Sequence, residues 1–203
     1  MDKNSHSGFT LIELLVAMAV AAILLGIGIP SFSGAIKNSQ VSTDYNEVVQ
    51  ALYLARSESV KSSELVTVCP KMTVGSEQCG TNNGDWKHGW LVFVDIVSSP
   101  GEASAKVDAD DEIISTHPEP RSENTITAVG STNRTKNTAS ERNYIRFTPT
   151  GVSEWANGSF MLCNDEEVEL SRVINIAPTG DVRPGRSSGS KYPRDVFNDE
   201  ACT

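Results

Sequence analysis

The sequence predicts an α+β protein in which one long N-terminal helix packs on a head of mainly antiparallel strands. One observation is an apolar run, Phe9–Ile29, which is followed by apolar residues at three- and four-residue steps as far as Val60. The other is a series of short strand-like runs after Ser63, separated by clusters of Gly, Pro, Asn and Ser. Strands that follow a helix, instead of alternating with helices, indicate the α+β class.

The apolar run has the length of a membrane-spanning helix. It holds 21 residues with one charge, Glu13, and at ~1.5 Å per residue it would extend about 31 Å, enough for a bilayer core of ~30 Å. It is longer than the ~7–15-residue core of a removed secretory signal peptide. A carboxylate in such a helix costs at least ~2.5 kcal/mol unless it is paired. Glu13 is therefore a candidate functional residue, and the alternative is that it snorkels to the headgroups.

Pro30, preceded by Gly26 and Gly28, predicts a kink or a melted turn at 26–30, with a plain helix end as the alternative. The helical pattern then resumes and forms the part of the helix that belongs to the head. Its predicted packing face consists of Val41, Tyr45, Val48, Val49, Leu52, Ala55, Ser59 and Val60. Its predicted outward face consists of Lys37, Gln40, Asp44, Glu47 and Glu58.

Seven strands are predicted in the head from runs bounded by turn residues. They are Leu65–Cys69, Gly89–Asp95, Glu112–Thr116, Thr125–Val129, Asn143–Phe147, Ser159–Cys163 and Arg172–Ala177. Trp86 and Trp90, four residues apart, would share one face of a strand. Packing in the core is the predicted role of this pair, and a ligand platform is the alternative.

Composition excludes several function classes. A net charge of −9, from 26 acidic and 17 basic residues, argues against a general nucleic-acid-binding protein, although a local basic patch is compatible with it. The histidines His6, His88 and His117 lack metal-ligand spacing. The acidic run 108–112 lacks the Gly and the distal Glu of a calcium loop and is predicted to be a solvated loop. No nucleophile elbow or phosphate-binding loop occurs, so a non-enzyme without metal or cofactor is predicted.

The four cysteines, Cys69, Cys79, Cys163 and Cys202, form no C-x-x-C pair. An even number in a membrane-anchored chain fits two disulfides in an oxidising compartment. Three connectivities are possible, and proximity along the chain favours Cys69–Cys79, which leaves Cys163–Cys202. Four unpaired cysteines are the alternative.

The N-terminal string GFTLIELL, from Gly8 to Leu15, resembles the processing site of type IV pilins and type II secretion pseudopilins. The resemblance implies cleavage after Gly8 by a prepilin peptidase and N-methylation of Phe9. In that scheme Glu13 of one subunit pairs with the new Phe9 amine of a neighbour, which offsets the cost of the intramembrane carboxylate and fixes the register of a filament.

Two segments of the head narrow the resemblance. LARSESVKSSELVTVCP at 54–70 and GDWKHGWLVFVD at 84–95 are similar to the GspH/FimT family, which comprises the H-type minor pseudopilin of type II secretion and the FimT/FimU-type minor pilins. RFTPTGV, GSFMLC and INIAPTGDVRPGR follow in the expected order. The resemblance implies the type IV pilin fold, with a leader at 1–8, a transmembrane helix at 9–30, its amphipathic continuation at 31–63 and a β-rich periplasmic head at 64–203.

That family implies a structural subunit, held in the inner membrane by a single pass, in a type II secretion pseudopilus or a type IV pilus. Its implied partners are other pilins or pseudopilins, the prepilin peptidase and an inner-membrane assembly platform. No nucleotide site is found in the chain, so the energy for extension would come from an ATPase elsewhere.

The alternative function is DNA binding for natural transformation. Arg183, Arg186, Lys191 and Arg194 lie within twelve residues of an otherwise acidic chain, and a flexible basic stretch binds phosphates with little sequence preference. These arginines resemble the basic C-terminal motif of FimT-type minor pilins that take up DNA. Asp181 departs from the usual Gly-Arg-x-Arg pattern, a proline separates the arginines, and a solubilising loop is the remaining interpretation.

Overall fold

The computed structural model describes residues 9–80, 86–96, 106–121, 124–130, 144–153, 158–164 and 170–185. Within them lie one long helix, α1 (Leu11–Ser62), and eight strands. The strands are β1 (Leu65–Pro70), β2 (Trp90–Asp95), β3 (Glu112–Thr116), β4 (Asn124–Gly130), β5 (Ile145–Phe147), β6 (Gly158–Asn164), β7 (Arg172–Ile176) and β8 (Val182–Pro184). Contacts divide the chain into two units, 1–39 and 40–203.

The helix α1 continues without a break through residue 30, so the predicted melted turn or helix end at 26–30 is wrong. A proline removes one backbone hydrogen bond, to the fourth residue before it, and a helix of 52 residues keeps the bonds on both sides. The helix ends at Ser62, and Ser63 adopts a left-handed conformation with φ of 60°. This is the conformation that commonly closes a helix C-terminus.

The strands form two antiparallel sheets, with the orders β3-β2-β1-β5 and β4-β6-β7-β8. In the first sheet Val66 lies opposite Val94 on β2 and Phe147 on β5. In the second, β4 and β6 pair over their full length, from Asn124 opposite Asn164 to Gly130 opposite Gly158. The α+β class and the mainly antiparallel head predicted from the sequence are confirmed.

One core lies between the head part of α1 and both sheets, because alternate residues of each strand point to the same side. The helix contributes Val48, Ala51, Leu52 and Ala55. The strands contribute Val66, Val68, Trp90, Val92, Val94, Ile126, Ala128, Ile145, Phe147, Phe160, Leu162, Ile174, Ile176 and Val182. Trp86 and Trp90 are both fully buried there, and Trp86 meets Phe160 edge to face at 4.6 Å. The predicted core role of the tryptophans is confirmed.

The opposite face of the first sheet carries a second buried cluster. It contains the Cys69–Cys79 disulfide with Leu91 and Phe93. Beside it, Arg146 on β5 donates to Asp95 at 2.6 Å and to Thr67 at 3.0 Å. Three strands of the sheet are thereby joined through buried side chains, in addition to their backbone ladder.

Candidate functional site

The first part of α1 presents an exposed apolar surface. Every residue from Phe9 to Gly26 is exposed. The large apolar side chains among them, each more than half exposed, are Phe9, Leu11, Ile12, Leu14, Leu15, Val16, Met18, Val20, Ile23, Leu24 and Leu25. Burying one such side chain is worth about 1.5–3 kcal/mol. A surface of this extent in one place marks a site of interaction with a membrane or with another protein.

No helix among the described residues has the length and hydropathy needed to cross a membrane. The transmembrane assignment of 9–30 therefore stays a prediction.

Thr10 caps the N-terminus of this helix. Its hydroxyl Oγ1 accepts a hydrogen bond from the backbone N–H of Glu13 at 3.3 Å, and its carbonyl accepts one from Leu14 N–H at 3.2 Å. Thr-x-x-Glu is the sequence of a capping box, in which the Glu side chain can return a bond to the cap residue. The Glu13 carboxylate also lies in the first turn, where the helix dipole favours a negative charge. The sequence analysis missed this role of Thr10, although the Thr-x-x-Glu pattern is visible in the sequence.

A buried carboxylate fixes the helix to the head. Asp44, fully buried, accepts hydrogen bonds from Arg121 Nη1 at 2.5 Å, from Arg121 backbone N–H at 3.2 Å and from Asn124 Nδ2 at 2.6 Å. Glu47, one turn further on, accepts from Arg121 Nη2 at 2.7 Å. These two acidic side chains hold the pKa of Arg121 above its usual range. Asn124 in turn accepts from Asn164 of the neighbouring strand at 2.9 Å.

Asp44 was predicted to face outward, and this is wrong. Its partner Arg121 lies 77 residues later, so no local pattern indicates the pair. A helix face that contains a carboxylate reads as solvated unless a long-range partner is known. Val60, predicted to be packed, is 54% exposed, and the packed face ends at the preceding residue, Ser59, which is fully buried.

The structure contains the disulfide between Cys69 and Cys79, which closes a loop of ten-residue separation. This bond supports the prediction that the head contains disulfides, with Cys69 paired to Cys79. Cys163 on β6 is also disulfide-bonded. Its predicted partner, Cys202, lies outside the described residues.

Of the four basic residues predicted to bind DNA, only Arg183 is described. It lies on β8, a strand that the sequence analysis did not predict, opposite Asn175 of β7. Its guanidinium donates to the Asp181 carboxylate at 2.6 Å and 3.0 Å, and Arg56 lies 3.6 Å from the other oxygen of that carboxylate. Hydrogen bonding to Arg183 lowers the pKa of Asp181. The expectation that Arg183 belongs to a flexible tail is wrong, while Arg186, Lys191 and Arg194 lie outside the described residues.

Comparison with known proteins decides the family. The family model described as "Type II transport protein GspH" matches residues 44–180, and the "Prokaryotic N-terminal methylation motif" matches residues 3–29. The chain belongs to the GspH family. Proteins of this family are structural, pilin-like subunits and not enzymes. The predicted resemblance to GspH/FimT-type proteins is thereby confirmed.

A solved structure and a curated relative show further similarities. The type IV minor pilin FimU of Pseudomonas aeruginosa superposes with a TM-score of 0.50 at 18% identity, covering 77% of this chain and 98% of that one. This likeness supports the type IV pilin fold. The type IV major fimbrial protein FimA of Dichelobacter nodosus is 44% identical over 48 residues, which is 24% of this chain. The chain spans about a third, 31%, of the length of that relative.

Proposed function

We propose that this GspH-family chain is a minor pilin or pseudopilin, a structural subunit of an inner-membrane filament of a type II secretion system or a type IV pilus. The single observation that supports it most is the exposed apolar surface of residues 9–26 behind a capped, acid-bearing helix N-terminus. A membrane accepts this surface before assembly, and neighbouring helices accept it afterwards.

Processing prepares that surface. Cleavage after Gly8 by a prepilin peptidase leaves Phe9, 86% exposed, at the N-terminus with a cationic amine, and N-methylation modifies that amine. Glu13 of one subunit pairs with the amine of the next. In a medium of low dielectric, a carboxylate and an amine in contact are far more stable than the same two charges apart. Subunits therefore favour the one axial register in which Glu13 meets the neighbouring amine.

The head then works as a rigid body outside the membrane, in the periplasm, where disulfides persist. The network of Asp44 and Arg121 ties α1 to the segment before β4, and one continuous core joins α1 to both sheets. A pull or push on the helix is thereby transmitted to the surfaces through which the heads contact each other. An inner-membrane platform is the proposed partner that supplies this force.

The test is to purify the filament from the source cells and to analyse this subunit by mass spectrometry. The expected species begins at methylated Phe9 and co-purifies with other pilin-like subunits. An intact Met1 start in assembled material would contradict the processing step. Recovery of the chain only outside filaments, in the presence of assembled filaments, would contradict the structural role. Whether the co-purifying subunits are pseudopilins or pilins distinguishes the two machines.

DNA binding remains a second prediction, and the described part of the basic segment gives it no support. The Arg183 guanidinium already donates to the Asp181 carboxylate at 2.6 Å and 3.0 Å, and this negative charge weakens its attraction for a phosphate. Arg186, Lys191 and Arg194 are therefore the residues on which the alternative mainly rests. A salt-dependent gel shift with duplex DNA that is abolished by replacing these three with Gln would support the alternative.

A further inference from the structure

A pocket of about 300 Å³ opens on the head. Its lining residues are Lys71, Val74, Gly75, His88, Thr116, His117, Pro118 and Glu119. They come from the loop closed by the Cys69–Cys79 disulfide, from the turn before β2 and from the segment after β3. A volume of this size lies at the lower limit of small-molecule pockets.

The walls are held together by backbone contacts. Lys71 N–H donates to the Gly89 carbonyl at 2.9 Å, and His117 N–H donates to the Trp90 carbonyl at 2.8 Å. Gly89 has φ of +82°, and a Cβ there would collide with the carbonyl oxygens of His117 and Pro118. The glycine thus allows the segment after β3 to approach the turn directly. The three segments form a preformed concave site.

Lys71 is the chemical centre of the pocket. The residue is only 6% exposed, and burial lowers the pKa of its ammonium. Burying a cation is costly unless an anion pairs with it, so an anion that enters the pocket would be bound through a charge-assisted hydrogen bond.

The surroundings select the kind of anion. Thr116, His88 and His117 are its polar lining residues, and Val74 and Pro118 its apolar ones. The Nε2 atom of His117 already lies 3.2 Å from Ser115 Oγ. Glu119 also lines the pocket, and its negative charge disfavours a dianion such as phosphate more than a monoanion. No group of His, Cys, Asp or Glu among the described residues has the arrangement of a metal site.

We propose that this pocket binds a carboxylate carried on a short apolar body, with Lys71 as its charged partner. The carboxylate can belong to the end of a polypeptide chain or to a small free acid, and both present the same chemistry. The inference does not depend on the filament role.

The experiment is an NMR titration of the ¹⁵N-labelled full chain in non-ionic detergent micelles. N-acetylvaline is the probe, and its uncharged methylamide is the matched control ligand. The acid is expected to shift the amide signals of Lys71, Gly89 and His117 in a saturable way, and the amide is not. Isovalerate, which keeps the carboxylate and the apolar group of N-acetylvaline and lacks the amide, separates the two sources. Tighter binding of N-acetylvaline indicates a polypeptide end, and equal or tighter binding of isovalerate indicates a small acid.

Three variants identify the charged partner. Lys71→Met is expected to weaken binding at least about tenfold, the loss that accompanies removal of a hydrogen bond to a charged group. Lys71→Arg should retain most of it. Lys61→Met, an exposed lysine paired with Glu58 on α1, makes the same change of net charge elsewhere and should have no effect. Equal shifts by acid and amide, or unchanged affinity in Lys71→Met, would overturn the proposal.

If Lys71→Met fails to fold, Glu119→Gln provides an independent test at an exposed position. Removing this negative charge from the pocket should tighten binding of N-acetylvaline. An unchanged or weaker affinity in a folded Glu119→Gln protein would also overturn the assignment.

Discussion

Two carboxylates on α1 contact the same arginine, one fully buried and the other partly exposed. Replacing each in turn distinguishes the effect of burial on stability from the effect of the charge. Asp44 has no exposed side-chain surface, whereas Glu47 has 24%. Both pair with the guanidinium of Arg121, at 2.5 Å and 2.7 Å respectively. The amide variants Asp44→Asn and Glu47→Gln keep size and remove the same charge, so each is the control for the other.

The magnitudes follow from what each variant leaves unpaired. Asp44 accepts three hydrogen bonds, and an amide in its place turns an NH₂ group toward donors, so at least one buried donor loses its acceptor. Hydrogen bonds to a charged group contribute about 1.5–3 kcal/mol each, and breaking a buried pair costs about 3–5 kcal/mol. Arg121 is 39% exposed and regains water, which favours the lower values. We expect a loss of about 2–4 kcal/mol for Asp44→Asn and of less than about 1 kcal/mol for Glu47→Gln.

The assay is urea unfolding of the full chain in non-ionic detergent, followed by the fluorescence of the buried tryptophans Trp86 and Trp90. The unfolding midpoint should fall strongly in Asp44→Asn and slightly in Glu47→Gln, with the slope unchanged. Equal losses, or a larger loss for Glu47→Gln, would refute the argument that the buried carboxylate fixes α1 to the head.

Three further predictions concern the head and use the same unfolding assay. Gly75 and Gly89 both have positive φ, but of the two only Gly89 is crowded by neighbouring backbone. Gly75→Ala should lower the free energy of unfolding by about 1–2 kcal/mol, and Gly89→Ala by at least about 1–3 kcal/mol more. Similar losses in the two variants would contradict this reasoning. Replacing Cys69 and Cys79 together by Ala should remove about 2.7 kcal/mol, the chain-entropy value for a ten-residue loop; an unchanged midpoint would show that the bond does not stabilise the head. Burial lowers the pKa of His117, and the negative charge of Glu47 offsets this shift only in part. The unfolded chain therefore binds more protons, and stability should fall as pH drops below about 6.5. His117→Phe should reduce this slope, and an identical slope in the variant would contradict the assignment.

Most of the architecture was predictable because it depends on local patterns. Glu112–Thr116 was predicted with its observed bounds, and the six other predicted strands each overlap an observed one. Alternation of apolar residues, bounded by Gly, Pro and Asn, carries that information. The missed strand, β8, has three residues, of which Arg183 and Pro184 are exposed. Its position depends on which residues of β7 it pairs with, and no local sequence pattern indicates this register.

The candidate site was predictable only in part, and for the same reason. Phe9 and Glu13 belong to a contiguous motif, and the sequence displays it directly. The role of Arg121 depends on a contact across 77 residues, and the role of Lys71 depends on three segments that meet around one pocket. Without the fold, an isolated lysine or arginine reads as a solvated surface residue.

The central claim, that the charge of Glu13 serves assembly, is tested most directly by comparing Glu13→Gln with Thr10→Ala. A capping box accepts Gln as well as Glu, so Glu13→Gln keeps the cap and removes the charge. Thr10→Ala removes the hydroxyl that accepts at 3.3 Å and keeps the charge, at a cost of about 0.5–2 kcal/mol in helix stability.

The measurement is the fraction of each variant recovered in purified filaments relative to its amount in the membrane. The account predicts membrane levels like those of the unchanged chain for both variants, near-complete loss of Glu13→Gln from filaments, and substantial retention of Thr10→Ala. Normal incorporation of Glu13→Gln would contradict the account, and so would a greater loss of Thr10→Ala, since capping and not charge would then be what assembly requires.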